Sequence, residues 1–158
     1  MPIIEISTLV QAPVERLFDL SRSIDFHLAS TQHTSECAIR GVTTGLIDLG
    51  QEVTWRAKHF GVWQELTSRI TQMNRPIYFR DSMVTGVFHH FDHDHFFEVK
   101  SDGTLMRDVF DFEAPLGFLG RTANSLFLKK YMRKFLEIRN EAIKMAAETD
   151  IWKQYLSA

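Results

Sequence analysis

Four histidines crowd one short stretch of the chain: His89, His90, His93 and His95. Residues two apart on a strand point the same way, so His93 and His95 share a face. A carboxylate, Asp108, follows in the next apolar stretch. Two imidazoles and a carboxylate make a recognised metal-ligand set. The same groups can instead satisfy one another, since a lone buried carboxylate is costly. A third use is proton transfer, because an aspartate–histidine pair in an apolar setting has displaced pKa values. In that role Asp108 or His95 is the base, and Arg139 or His59 steadies developing negative charge. The reading adopted is mutual satisfaction, with no metal and no cofactor; catalysis by Asp108 and His95 is the alternative. No Ser/His/Asp or Cys/His arrangement marks a nucleophile, and there is no glycine-rich phosphate loop.

These groups need strands to position them. Asp102-Gly103 is a strong hairpin turn signal. Read as a two-residue turn, it sets Phe97 opposite Asp108, His95 opposite Phe110 and His93 opposite Phe112. One face then carries Phe91, His93, His95, Phe97, Met106, Asp108, Phe110 and Phe112 and belongs inside. The other carries His90, Asp92, Asp94, Arg107 and Asp111.

An earlier hairpin turns at Phe60-Gly61. It opposes Glu52 to Arg69, Thr54 to Thr67, Arg56 to Glu65 and Lys58 to Trp63. Opposite charges meet on this face, as cross-strand pairing favours. The other face is mostly apolar and points Trp55, Ala57, His59, Gln64, Leu66 and Ile70 inward. A slip of one residue would destroy both patterns. Between the hairpins, residues 77–84 form a strand ending at Thr85-Gly86. A simple turn there puts Tyr78, Arg80 and Ser82 beside His93. A one-residue bulge puts the more apolar set Phe79, Asp81 and Met83 there instead, and is preferred.

The remaining elements frame this sheet. Residues 3–11 alternate as a first strand. Pro13 begins a short helix through Val14, Leu17, Phe18 and Leu20. Ser23 caps a second, over 24–29, and residues 36–42 make a weak strand. The two short helices are expected to plug an edge or mouth of the sheet. A helix of about 45 Å is expected from Pro115 to Glu148. Its apolar stripe is Leu128, Tyr131, Met132, Phe135, Ile138, Ala142, Met145 and Ala146. Lys129, Lys130, Arg133, Lys134, Glu137, Asn140, Glu141, Lys144 and Glu148 take the other side. Arg139, beside the stripe, either pairs with a sheet carboxylate such as Asp108 or Glu113 or anchors a ligand's polar head. The basic patch of Lys129, Lys130, Arg133 and Lys134, with Arg121 upstream, is a solvated face or a transient contact with an anionic membrane surface. Trp152, Tyr155 and Leu156 in the tail extend the helix or dock elsewhere.

Composition sets the outer bounds. A chain of 158 residues is expected to form one α+β domain over 1–158. A net charge of −2 and a pI of about 6.4 argue against a nucleic-acid partner. Cys37 is alone, so no internal disulfide forms. No secretory leader or run of about 20 apolar residues is evident, so a soluble, cytoplasmic protein is expected. Nothing fixes its oligomeric state.

Four segments carry a resemblance: VQAPVERLFDL (10–20), TGVFHHFDHDHFFE (85–98), GTLMRDVFDFEAPLG (103–117) and LFLKKYMRKFLEIR (126–139). Together with the element order they resemble the bacterial branch of the SRPBCC superfamily. That superfamily includes START-type lipid carriers, pollen-allergen relatives, polyketide cyclases and coenzyme Q-binding proteins. The resemblance implies the helix-grip fold: a curved antiparallel sheet of about seven strands, with the long C-terminal helix across it over a cavity. It implies that this cavity is hydrophobic and leaves its occupant open. The mostly apolar interior with a few polar groups, as in ligand pockets, favours carriage of a hydrophobic small molecule such as a lipid, quinone or polyketide-like compound, without chemistry. The residues expected to meet it are Trp55, Ala57, His59, Leu66, Phe91, His93, His95, Phe97, Met106, Asp108, Phe110, Phe112, Leu128, Tyr131, Met132, Phe135 and Arg139. The alternatives are a cyclase or dehydratase acting on such a ligand, and an interaction protein with a filled core. The related aromatic-ring oxygenases hold metal through motifs absent here; there is no Cys-x-His pair.

Overall fold

Seven antiparallel strands form one sheet in the order β1-β7-β6-β5-β4-β3-β2 in the computed structural model. It describes residues 2–114 and 121–157, those from 121 to 125 by backbone only. The strands are β1 (Ile3–Val10), β2 (Cys37–Gly41), β3 (Glu52–His59), β4 (Val62–Asn74), β5 (Tyr78–Thr85), β6 (His90–Lys100) and β7 (Gly103–Glu113). Helices α1 (Val14–Ser21) and α2 (Ile24–Ser30) follow β1, and α3 (Arg121–Glu148) follows β7. The expected helix start at Pro115 lies outside the described residues.

The β3–β4 hairpin has the register its charges dictate, from Glu52 opposite Arg69 to His59 opposite Val62. Phe60 and Gly61 both have positive φ, 53° and 75°, as the tight hairpin turn with two left-handed residues requires. On β5, Asp81 pairs with His93 and Phe79 with His95, so the more apolar set faces inward.

The β6–β7 pairing differs from expectation by two positions. Lys100 pairs with Gly103, His95 with Asp108 and Phe97 with Met106. The faces are as expected, but the turn residues are Ser101 and Asp102. Gly103 is drawn into the strand because β1 crosses close by. A Cβ there would lie 2.2 Å from the Val10 carbonyl oxygen, and φ is +146°. The glycine serves a close backbone approach rather than the turn.

Helix α3 is also turned about its axis relative to expectation. Its buried residues are Leu136, Arg139, Asn140, Ile143, Ala146 and Ala147, a 3,4-spaced row. Ile138 and Met145 are exposed. Asn140, assigned above to the wet side, is fully buried because its Nδ2 donates to Asp108. Arg133 and Lys144 donate to the β1 carbonyls of Glu5 and Leu9, which seats α3 along that edge strand.

Helix α1 closes one end of the sheet. Phe18 packs edge-on against Phe79 and Phe97, with ring centroids 5.4 and 5.5 Å away. After α3 the chain forms a 3-10 turn over Asp150–Gln154. Its side chains dock on the short helices: Tyr155 against Phe26, and Trp152 beneath the Arg16 guanidinium.

Candidate functional site

A cavity of about 250 Å³ separates α3 from the inner faces of β3 to β6. Strand alternation aims Trp55, Ala57, His59, Leu66, Phe79, Asp81, Phe91, His93 and His95 into it, and Phe110 joins them from β7. The helix contributes Leu128, Tyr131, Met132, Phe135, Leu136 and Arg139, again at 3,4 spacing. Val87 and Phe88 lie before β6 and also line the cavity.

Phe97, Met106, Asp108 and Phe112, grouped with these by the same alternation, stand outside the lining. Where they sit, other elements cover the sheet directly. Phe97 is against Phe18. The Met106 sulfur is 3.9 Å from the Ser21 hydroxyl. Phe112 is against Phe88, from the segment before β6, at 5.6 Å. Alternation tells which face a residue takes, not whether something already fills the space above it.

Behind the wall, Asp108 meets the two wall histidines, His93 and His95. Asp108 has no accessible surface. Its Oδ1 is 2.9 Å from His93 Nε2 and its Oδ2 accepts from Asn140 Nδ2 at 2.7 Å. His95 Nδ1 is 3.0 Å from the same Oδ1, but off the axis of a hydrogen bond. The Arg139 guanidinium stands 3.7 Å from Oδ1 and donates to the Ser21 carbonyl and to Asn140. Glu113, the other partner considered for Arg139, is beside His89 instead.

Burial alone would raise the Asp108 carboxyl. Hydrogen bonding from His93 and the close imidazole of His95 overturn this and hold it well below the usual range. Burial, helped by the nearby charge of His93 and only partly opposed by Asp108, pushes His95 down to about 3.

Two consequences follow for chemistry. First, the metal-binding atoms of His93, His95 and Asp108 lie within 4.8 Å of one another, so the donor types and spacing fit a cation. The occupants already present oppose one: both Asp108 oxygens have partners, and a guanidinium stands beside them, where a second positive charge is repelled. Second, Asp108 does not reach the cavity and is a weak base. His95 does reach it, but a group with a pKa near 3 is far from the value that suits proton transfer at neutral pH.

A second polar group sits at the other end of the lining. Glu36, just before β2, has its Oε2 3.2 Å from His27 Nε2, and the His27 ring lies against Trp55. Burial would raise Glu36, but the charge and hydrogen bonding of His27 outweigh it and lower the carboxyl. His59 Nδ1 and the Tyr131 hydroxyl share a hydrogen bond of 2.6 Å. Burial lowers His59, and burial with the charge of Glu36 raises Tyr131. His27, Glu36, Ser68 and Asn140 were not singled out from the sequence. His27 lies on a short helix and Glu36 just before a short strand, where periodicity is weak. Asn140 has the spacing of a wet-side residue.

No protein-family model matches the chain, and no curated protein matches it in sequence. Solved structures do match. A curved sheet closed by a long helix over an internal cavity defines a helix-grip protein, and that fold is shared with structures from distant organisms. A Thermus thermophilus protein superposes with a TM-score of 0.75 at 15% identity, over 92% of this chain and 97% of that one. A START superfamily protein from Mycobacterium smegmatis gives 0.69 at 12%, over 92% and 97%. A major latex-like protein of Panax ginseng gives 0.63 at 13%, over 94% and 98%. The chain thus has the helix-grip fold to which its sequence resemblance pointed. No helix among the described residues is long and apolar enough to cross a membrane.

Proposed function

We propose that this chain binds a small hydrophobic molecule in the cavity under α3 and does not transform it. The observation that carries this reading is the cavity wall. It is mainly aromatic and aliphatic, with a few convergent polar groups, the usual composition of a ligand pocket. The filled-core alternative has no place for such a space. The cyclase-like alternative assigns the base to Asp108 or His95; Asp108 lies behind the wall with both oxygens engaged, and His95 is pushed down to about 3.

Size narrows the ligand class. A dry apolar cavity of about 150 Å³ holds one benzene. A volume of about 250 Å³ suits a one- or two-ring compound, such as a quinone head or a short aromatic polyketide, better than a whole two-chain lipid. The test is calorimetric titration with 2-(1-naphthyl)ethanol, a neutral two-ring probe. Saturable one-to-one binding is expected, and Ala57→Trp, which fills the cavity from β3, should abolish it. Absence of saturable binding, or equal binding by Ala57→Trp, would overturn the reading.

A further inference from the structure

We propose that Asp81 is the polar anchor of this cavity, and that it receives a protonated amine carried on the ligand's apolar body. The inference rests on the cavity being a ligand site and names the chemistry of its occupant.

Asp81 sits mid-strand on β5, between Ile70 of β4 and His93 of β6, and lines the cavity. Its Oδ1 is buried and has no hydrogen-bond partner among the described residues. Three other such atoms belong to cavity-lining residues, but each has an opposite partner close by. Glu36 Oε2 and His27 Nε2 are 3.2 Å from each other, and His95 Nδ1 is 3.0 Å from Asp108. Among the described residues of the cavity wall, Asp81 alone has such an atom with no oppositely charged partner in ion-pair range, the Ser68 hydroxyl being the neighbour that acts on it. Such a group is expensive to bury and is kept where something external completes it.

Charge decides what that something is. The cations nearest the cavity are committed elsewhere. Arg139 holds the Ser21 carbonyl and Asn140 and stands beside Asp108. Arg22 is bound by Asp19, Asp48 and the Ile47 carbonyl. Burial raises the Asp81 carboxyl, and the Ser68 hydroxyl and the charges of His93, His27 and Arg139 offset this only in part. A positive nitrogen from the ligand would relieve that penalty. Phe79, Trp55 and Phe91 line the same cavity, and aromatic surface favours an ammonium group; of these, Trp55 and Phe79 also lie against the His27 and His95 rings. A neutral hydroxyl could also donate to Asp81, but charge-assisted bonds are about twice as strong.

Three matched probes test this: 2-(1-naphthyl)ethylamine, 2-(1-naphthyl)ethanol and 1-naphthaleneacetate, titrated separately into the full chain. The amine is expected to bind about ten- to hundredfold tighter than the alcohol, the gain of one hydrogen bond to a charged group, with the carboxylate weakest. Asp81→Asn should remove the advantage of the amine. In the unsubstituted protein, the Asp81 carboxyl ¹³C resonance should move toward its ionised position with the amine and not with the alcohol, a readout that needs no variant. Saturable binding of the alcohol with no advantage for the amine would overturn this inference alone. So would an advantage that survives in Asp81→Asn, or an unmoved carboxyl resonance. Failure of all three probes to bind would overturn the ligand-site reading beneath it.

Discussion

Asp108 keeps its charge with no accessible surface because four side chains surround it. Removing one member of such a group leaves the others buried without a counterpart. Asp108→Ala would strand His93, Asn140 and Arg139, so a loss of about 3–5 kcal/mol in urea denaturation is expected. Binding of the naphthyl alcohol at temperatures where the variant is folded should persist, since Asp108 does not line the cavity. Loss of binding in a folded variant would mean that the carboxylate acts on the ligand. His95 links the same group to pH. Its folded value is about 3, against 6.5 unperturbed. Between those values the unfolded chain holds the extra proton, so stability falls as pH drops from about 6.5. Asp108, also lowered on folding, adds to the loss below about pH 4. Asp81 acts in the opposite sense: its raised value means its contribution is lost as pH rises. Taken alone, His95 makes the melting temperature fall from about pH 7 to about pH 5. His95→Asn should flatten that slope, and an unchanged slope would refute the assignment.

At the scale of elements, the β3–β4 hairpin shows how much a sequence can state about itself. Its charged and apolar faces constrain register twice over, and every pair from Glu52–Arg69 to His59–Val62 was readable. The β6–β7 hairpin had one constraint, the Asp102-Gly103 turn, and that glycine answers to a different demand. It is there for the passage of β1, which no local pattern reveals. Gly103→Ala would drive a Cβ into the Val10 carbonyl and should destabilise the protein by about 1–3 kcal/mol, the usual cost of overpacking. An alanine variant melting with wild-type stability would restore the glycine to a turn role. Helix α3 was misread for a related reason. The one apolar stripe read from its spacing includes Ile138 and Met145, which are exposed. The row actually buried includes Arg139 and Asn140, polar residues whose burial makes sense only once Asp108 is beneath them.

Across the whole molecule, the polar band of His93, His95, Asp108, Arg139 and Asn140 lies between two apolar clusters. One is built on α1, α2 and the C-terminal part of α3. The other is built on Ile4, Phe91, Phe110, Phe112 and Leu136. The order of strands and helices, and therefore the fold, was legible because alternation and turn residues are local signals. The cavity was expected only through the family resemblance and not from local pattern, because an empty space depends on how far a helix stands from a sheet, and that is settled by side chains from many elements at once. The central claim is that this space is occupied in the working protein. Native mass spectrometry of freshly purified protein, followed by denaturing extraction, tests it most directly. The account predicts a stoichiometric small organic adduct that is released on denaturation. A spectrum showing only the bare chain, from protein that also fails to take up the neutral naphthyl probe, would contradict it.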